Sequence, residues 1–134
     1  MIALDSSALM AIVLEEPEKP AFAPILAFQD CMIGAPTVLE AQMVAIARGG
    51  EPLLRSLRHI LSRPTLEITT FSGLHIELAF DAFNRYGRGR HPAKLNFGDC
   101  MAYAVAKLAN APLLYKGADF ALTDIRPAIP QGTT

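Results

Sequence analysis

Short apolar runs alternate along this chain with longer stretches of helical periodicity. Met1-Ile2-Ala3-Leu4 is apolar up to Asp5 and reads as a buried strand. Asp5-Ser6-Ser7 then supplies N-cap chemistry for a helix through Leu14, stopped at Glu16-Pro17. A second helix is predicted from about Pro20 to Gln29, with Phe22, Ile25, Leu26 and Phe28 on one broad face. Cys31-Met32-Ile33-Gly34 is a second short strand. Pro36 stands near the start of a helix that runs to Arg48 and ends at Gly49-Gly50. Thr37 and Glu40 have the T-x-x-E spacing of a capping box. Pro52 to Ser62 reads as another helix, with Leu53, Leu54, Leu57, Ile60 and Leu61 inward and Arg55, Arg58 and His59 outward. Leu66 to Thr69 is a third strand, and Phe71 to Tyr86 is helical on the periodicity of Leu74, Leu78, Ala79, Ala82 and Phe83. A loop from Gly87 to Leu95 leads to an almost wholly apolar helix opened by Asn96-Phe97-Gly98-Asp99. Pro112 to Tyr115 is a fourth strand, Lys116 to Asp124 a polar loop, and Ala128-Ile129 a short last strand.

Strands this short and apolar, alternating with helices, predict a parallel sheet covered on both faces, an α/β sandwich. No linker, repeat or low-complexity segment interrupts the pattern, so residues 1–134 form one domain. With 51% hydrophobic and 19% charged residues, the chain is globular rather than disordered. No apolar run reaches the roughly 18 residues of a membrane span. The N-terminus lacks a basic n-region, so a cytoplasmic protein is expected. Cys31 and Cys100, far apart and in apolar contexts, read as buried free thiols.

The net charge of −1 conceals an uneven distribution. Residues 1–40 hold six acids against Lys19 alone, whereas residues 41–98 hold eight arginines and lysines against four acids. An acidic region facing a basic one suits a site for cations and a polyanion together.

In open parallel sheets, ligands bind beyond the carboxyl ends of the strands. Asp5 ends the first strand, Glu40 lies early in the helix after the second, and Asp119 follows the fourth. Asp99 joins them if its helix starts at the same edge. Each acid also has a local alternative: a cap for Asp5, a capping box for Glu40, a first-turn partner of Asn96 for Asp99, a turn for Asp119. Together they carry a cost, because two carboxylates about 4 Å apart repel by roughly 4 kcal/mol at an effective dielectric near 20. A cation relieves that repulsion, and all-oxygen ligation favours Mg²⁺ or Mn²⁺ over zinc. His59, His75 and His91 form no catalytic set, and His75 reads as a packed helix residue.

Four blocks taken together resemble the PIN-domain toxins of the VapC family. They are Met1-Ile-Ala-Leu-Asp5-Ser-Ser7, Thr37-Val-Leu-Glu40-Ala, Leu95-Asn-Phe-Gly-Asp99-Cys-Met-Ala-Tyr-Ala, and Leu114-Tyr-Lys-Gly-Ala-Asp119-Phe-Ala-Leu-Thr123-Asp124. The resemblance covers almost the whole chain, in the family's order and spacing. It implies a three-layer α/β/α sandwich with a short central parallel sheet, and a Mg²⁺-dependent ribonuclease, with Mn²⁺ a possible substitute. The family's catalytic and metal-site acids carry over onto Asp5, Glu40, Asp99 and Asp119. Ser7 and Thr123 match supporting hydroxyls. Ala118 departs from the polar residue usual in relatives, which leaves Asp124 as an alternative fourth acid. By resemblance, RNA is cut by metal-activated water attack on the phosphodiester. The partners implied are a VapB-type antitoxin lying in a groove of the toxin, a second copy in a homodimer, and promoter DNA bound only through the antitoxin.

Arg85-Tyr86-Gly87-Arg88-Gly89-Arg90-His91-Pro92-Ala93-Lys94 carries four bases and no acid directly before the Asp99 helix. Arg85, Arg88, Arg90 and Lys94 are therefore the candidate RNA contacts, with a solvated loop as the alternative. A phosphoacceptor receiver-type module would use Mg²⁺ and Lys116, but needs paired acids where Ser6-Ser7 stands. A PIN fold kept only as a catalytically silent binding module would have no use for its intact acids.

Overall fold

The computed structural model describes residues 1–130, so the last four residues of the domain expected over 1–134 lie outside the described residues. Four short strands, β1 (Ile2–Leu4), β2 (Cys31–Gly34), β3 (Leu66–Thr69) and β4 (Leu113–Leu114), form one sheet. All are parallel and lie in the order β3-β2-β1-β4. Every carboxyl end therefore opens on one edge, with β1 at the centre. The expected last strand is reduced to a bridge: Leu113 N donates to Arg126 O at 2.8 Å and Ala128 N to Leu113 O at 2.8 Å. Pro127 sits between those two bonds and has no N–H to extend a ladder.

Alternation along the strands separates two cores. Ile2, Leu4 and Ile33 face α1 (Ser6–Val13), α2 (Lys19–Phe28) and α3 (Ala35–Leu61), where Leu9, Phe22, Leu26 and Leu57 are buried. Ala3, Met32 and Leu113 face α4 (Gly73–Tyr86) and α5 (Phe97–Ala109), over Ala82, Leu95, Tyr103 and Phe120. The result is the expected three-layer α/β/α arrangement. Helix α5 lies so close to the sheet that a Cβ on Gly34 would stand 2.8 Å from Val105 Cγ2.

Several local expectations shift. The two helices expected over 36–48 and 52–62 form one kinked element, α3. Its bend is at Gly50, whose φ of 67° and ψ of −158° favour glycine. In α4 the buried side chains are His75 and Ala82, whereas Leu74 and Phe83 are exposed. His75 Nδ1 lies 2.9 Å from Ser72 N and 3.0 Å from Ser72 Oγ, so it closes the helix cap and packs as a structural residue. On the broad apolar face of α2, Phe22 and Leu26 are buried and Phe28 is 85% exposed. Both cysteines are buried and free.

Candidate metal and active site

The carboxyl edge of the sheet gathers the acids, and each is aimed by backbone chemistry. Asp5 leaves β1 in extended conformation and caps α1, its Oδ2 accepting from Ser7 N at 3.1 Å and Ser7 Oγ at 2.5 Å. The residue is 4% exposed, and its second oxygen, Oδ1, is sealed from solvent with no hydrogen-bond partner. Burial, reinforced by the charges of Asp99 and Glu40, pushes its carboxyl up to about 6, against the lowering effect of the Ser7 bonds.

Asp99 is aimed by a capping box. Asn96 Oδ1 accepts from Asp99 N at 2.8 Å, and Asp99 Oδ2 accepts from Asn96 N at 3.0 Å. The cap reading of Asp99 and its reading as a site residue are thus compatible: the cap occupies one oxygen and fixes the direction of the other. Burial raises its carboxyl, helped by the charges of Asp119 and Glu40, while the Asn96 bond and Arg88 pull the other way.

Glu40 is not half of a capping box. Strand β2 runs straight into α3 with Gly34 at the N-cap position and no side-chain cap, which places Thr37 inside the helix. Glu40 instead reaches across to the first turn of α5. A Cβ on Gly98 would overlap Glu40 Oε2 and stand 2.8 Å from Glu40 Cδ. Gly98 is therefore a site residue that motif reading missed. Its signal was present, since a glycine inside a helix with no turn to make marks a close approach.

Asp119 is exposed and precedes the 3₁₀ turn Phe120–Leu122, close enough for its charge to act on Asp99. Ser7 ties this loop to the centre of the sheet, because its Oγ also accepts from Lys116 N at 3.0 Å. Thr123 closes the 3₁₀ turn, donating to Phe120 O at 2.7 Å and accepting from Ile125 N at 3.2 Å. Asp124 belongs to a different constellation. It accepts from Tyr103 Oη and Lys107 Nζ, each at 2.7 Å, and lies 3.5 Å from Arg85. Burial pushes its carboxyl up, but those bonds outweigh burial and hold it below its usual range.

The donor set fits a hard divalent cation. Asp5 Oδ1 is a carboxylate oxygen buried without a partner, and oxygen is the donor that Mg²⁺ and Mn²⁺ take. Among the described residues no three acidic, histidine or cysteine side chains are already closed around one point. Such separation suits charges that repel one another.

The basic stretch is a folded turn. Leu95 N donates to Tyr86 O at 3.0 Å and Arg88 N to Leu95 O at 3.1 Å. Arg85 is engaged by Asp81, Asp124 and the Tyr86 hydroxyl. Arg88 acts electrostatically on Asp99, and Arg90 lies over the Phe83 ring at 5.0 Å from its centroid. Lys94 is exposed in the left-handed region, with φ of 53°. Lys116, the residue a receiver-type site would need, instead pairs with Glu16 at 3.0 Å and Glu18 at 3.5 Å.

The sequence and fold have counterparts in known proteins. The PIN domain family matches residues 2–125. Ribonuclease VapC30 of Mycobacterium tuberculosis is 39% identical over 123 residues, covering 91% of this chain and 94% of that protein. Ribonuclease VapC36 of the same organism is 42% identical over 125 residues, covering 91% and 89%. Among solved structures, M. tuberculosis VapC20, a sarcin–ricin loop cleaving toxin, superposes with a TM-score of 0.75 at 16% identity, covering 95% of this chain and all of that one. VapBC2 of Rickettsia felis, bound to a fragment of its promoter DNA, superposes with a TM-score of 0.68 at 18% identity, covering 95% and 97%. Fold and sequence similarity thus agree, and the chain belongs to the PIN-domain family, among its VapC ribonucleases.

Proposed function

We propose that this chain is the toxin of a toxin–antitoxin pair and a Mg²⁺-dependent ribonuclease, with Mn²⁺ able to substitute. One observation carries the reading. Acids from separate elements lie close enough at the sheet edge for their charges to act on one another, and Asp5 is buried with an unpartnered oxygen and a carboxyl raised to about 6. A fold bears that cost where a cation offsets it. Asp5, Asp99 and Asp119 would hold the cation. When bound, it supplies Lewis acidity to the phosphoryl oxygens and favours ionisation of a water nucleophile.

The chain's own groups do the remaining work. The Ser7 bonds and the Asn96 cap hold Asp5 and Asp99 in fixed directions, so little reorganisation is needed at the moment of reaction. Glu40, against the first turn of α5, is either a further ligand, partly through water, or the group that accepts the proton of the attacking water. Arg88, Arg90 and Lys94 engage RNA phosphates, while Arg85, already paired with acids, supports their turn. The products are a 5′-phosphate and a 3′-hydroxyl.

The antitoxin partner is proposed from similarity to VapBC2, together with the exposed apolar side chains that a partner chain would cover, among them Phe28, Phe80 and Phe97. A homodimer, and promoter DNA contacted only through the antitoxin, complete the proposed assembly in the cytoplasm. Purified protein incubated with RNA tests the catalytic reading. Cleavage should require Mg²⁺ or Mn²⁺, stop in EDTA and leave 5′-phosphate ends. Full activity in EDTA, or 2′,3′-cyclic phosphate products, would rule the mechanism out.

A further inference from the structure

Two threonines at the carboxyl edge have no place in the acid cluster, yet their hydroxyls are buried there without partners. Thr37 is 1% exposed, and its Oγ1 has no hydrogen-bond partner. Thr69 Oγ1 at the end of β3 is likewise sealed and unpaired. The two lie over the same glycine. Thr69 pairs in register with Gly34, so both face the α5 side of the sheet, where Val105 approaches Gly34. A Cβ on Gly34 would stand 3.9 Å from Thr37 Oγ1. The missing glycine side chain therefore leaves the space that the Thr37 hydroxyl adjoins.

Glu40 lies three residues after Thr37, on the same face of α3, and its Oε1 is the third buried oxygen here without a partner. The chemistry is complementary. A threonine hydroxyl can donate, and a carboxylate oxygen only accepts. A buried hydroxyl left unsatisfied is costly, and Thr37 Oγ1 and Glu40 Oε1, one helical turn apart on α3, can share a partner, with Thr69 beside Thr37 across Gly34. A single water with two or three polar neighbours meets that requirement.

We infer that Thr37, assisted by Thr69, is a positioning residue for Glu40, its hydroxyl holding the Glu40 carboxylate through a shared water so that the other oxygen stays against Gly98. This rests on the proposal that Glu40 serves a metal-dependent nuclease site. It assigns Thr37 no contact with RNA, since its hydroxyl is closed to solvent.

The test compares Thr37→Val, which keeps the shape, with Thr37→Ser, which keeps the hydroxyl, in the full chain. Thermal melting, Mg²⁺ affinity by calorimetry without RNA, and steady-state RNA cleavage are measured for each. Thr37→Val should melt no lower than the parent, bind Mg²⁺ more weakly, and lose about 10- to 100-fold in kcat with KM little changed. Thr37→Ser should restore both readouts. If Thr37→Val melts below the assay temperature, Thr69→Val gives the same comparison from the other side of Gly34. A parent that binds Mg²⁺ and cleaves RNA while Thr37→Val matches it in both overturns this inference alone. A parent that does neither overturns the functional reading and this inference with it.

Discussion

Replacing Asp5 by Asn separates the two jobs of the central acid. Its carboxyl rises from an ordinary 3.8 to about 6 in the folded chain, chiefly through burial. The folded state therefore binds a proton that the unfolded state has released between those values. Stability then falls as pH rises from about 4 to about 6, and the penalty is fully present above that window. Across it the loss is about 3 kcal/mol. Asparagine escapes that penalty yet keeps a side-chain oxygen to accept from Ser7 N and Ser7 Oγ. Exchanging a charged acceptor for a neutral one gives back about 1 kcal/mol. In urea unfolding without divalent cation, Asp5→Asn should be about 2 kcal/mol more stable than the parent at pH 7.5, and no more stable at pH 4. Saturating Mg²⁺ should reverse the order, since a ligand at 100 times its Kd stabilises the parent by about 2.7 kcal/mol and leaves the variant unmoved. If metal-free Asp5→Asn proves less stable than the parent at pH 7.5, the charged cap outweighs the burial, and the argument from a strained acid fails.

Other substitutions probe the walls of the site. Gly98→Ala would drive a methyl into Glu40 Oε2; it should cost about 1–3 kcal/mol of stability and weaken Mg²⁺ binding, both measurable on one calorimeter. Ser7→Ala removes the bond to Asp5 and the acceptor of Lys116 N; thermal melting should fall by the equivalent of about 1–2 kcal/mol, with cleavage reduced. Neutralising Arg88 and Arg90 together should weaken RNA binding and shorten the slope of log affinity against log salt by about two, while an unchanged slope would assign those side chains to the fold. Asp124→Asn should lower stability through the lost Lys107 and Arg85 pairs yet leave the RNA cleavage rate near that of the parent.

The parallel sheet and its covering layers were legible because the strands are short apolar runs and the helices have clear periodicity. Asp5 and Asp99 were legible because each sits at a polar-to-apolar boundary where a cap is required. Other features depended on contacts distant in sequence. Nothing around Thr37 indicates that β2 enters α3 without a polar cap, so the T-x-x-E spacing read as a box that the backbone does not form. The approach of Glu40 to Gly98 joins residues 58 positions apart. In α4, Leu74 and Phe83 obey helical periodicity yet stay exposed, because periodicity identifies an apolar face without saying what covers it. Arg85, a candidate from the basic run, and Asp124, the alternative fourth acid by resemblance, are drawn into one ion-pair network that only the tertiary fold brings together.

If this acid cluster cuts RNA, its activity leaves a direct trace in the cell. The most direct measurement expresses the parent and Asp99→Asn without an antitoxin and maps new RNA 5′ ends in both. The parent should arrest growth with discrete cuts bearing 5′-phosphates, and Asp99→Asn should do neither. The same cuts in Asp99→Asn, or arrest without any cut in the parent, would contradict it.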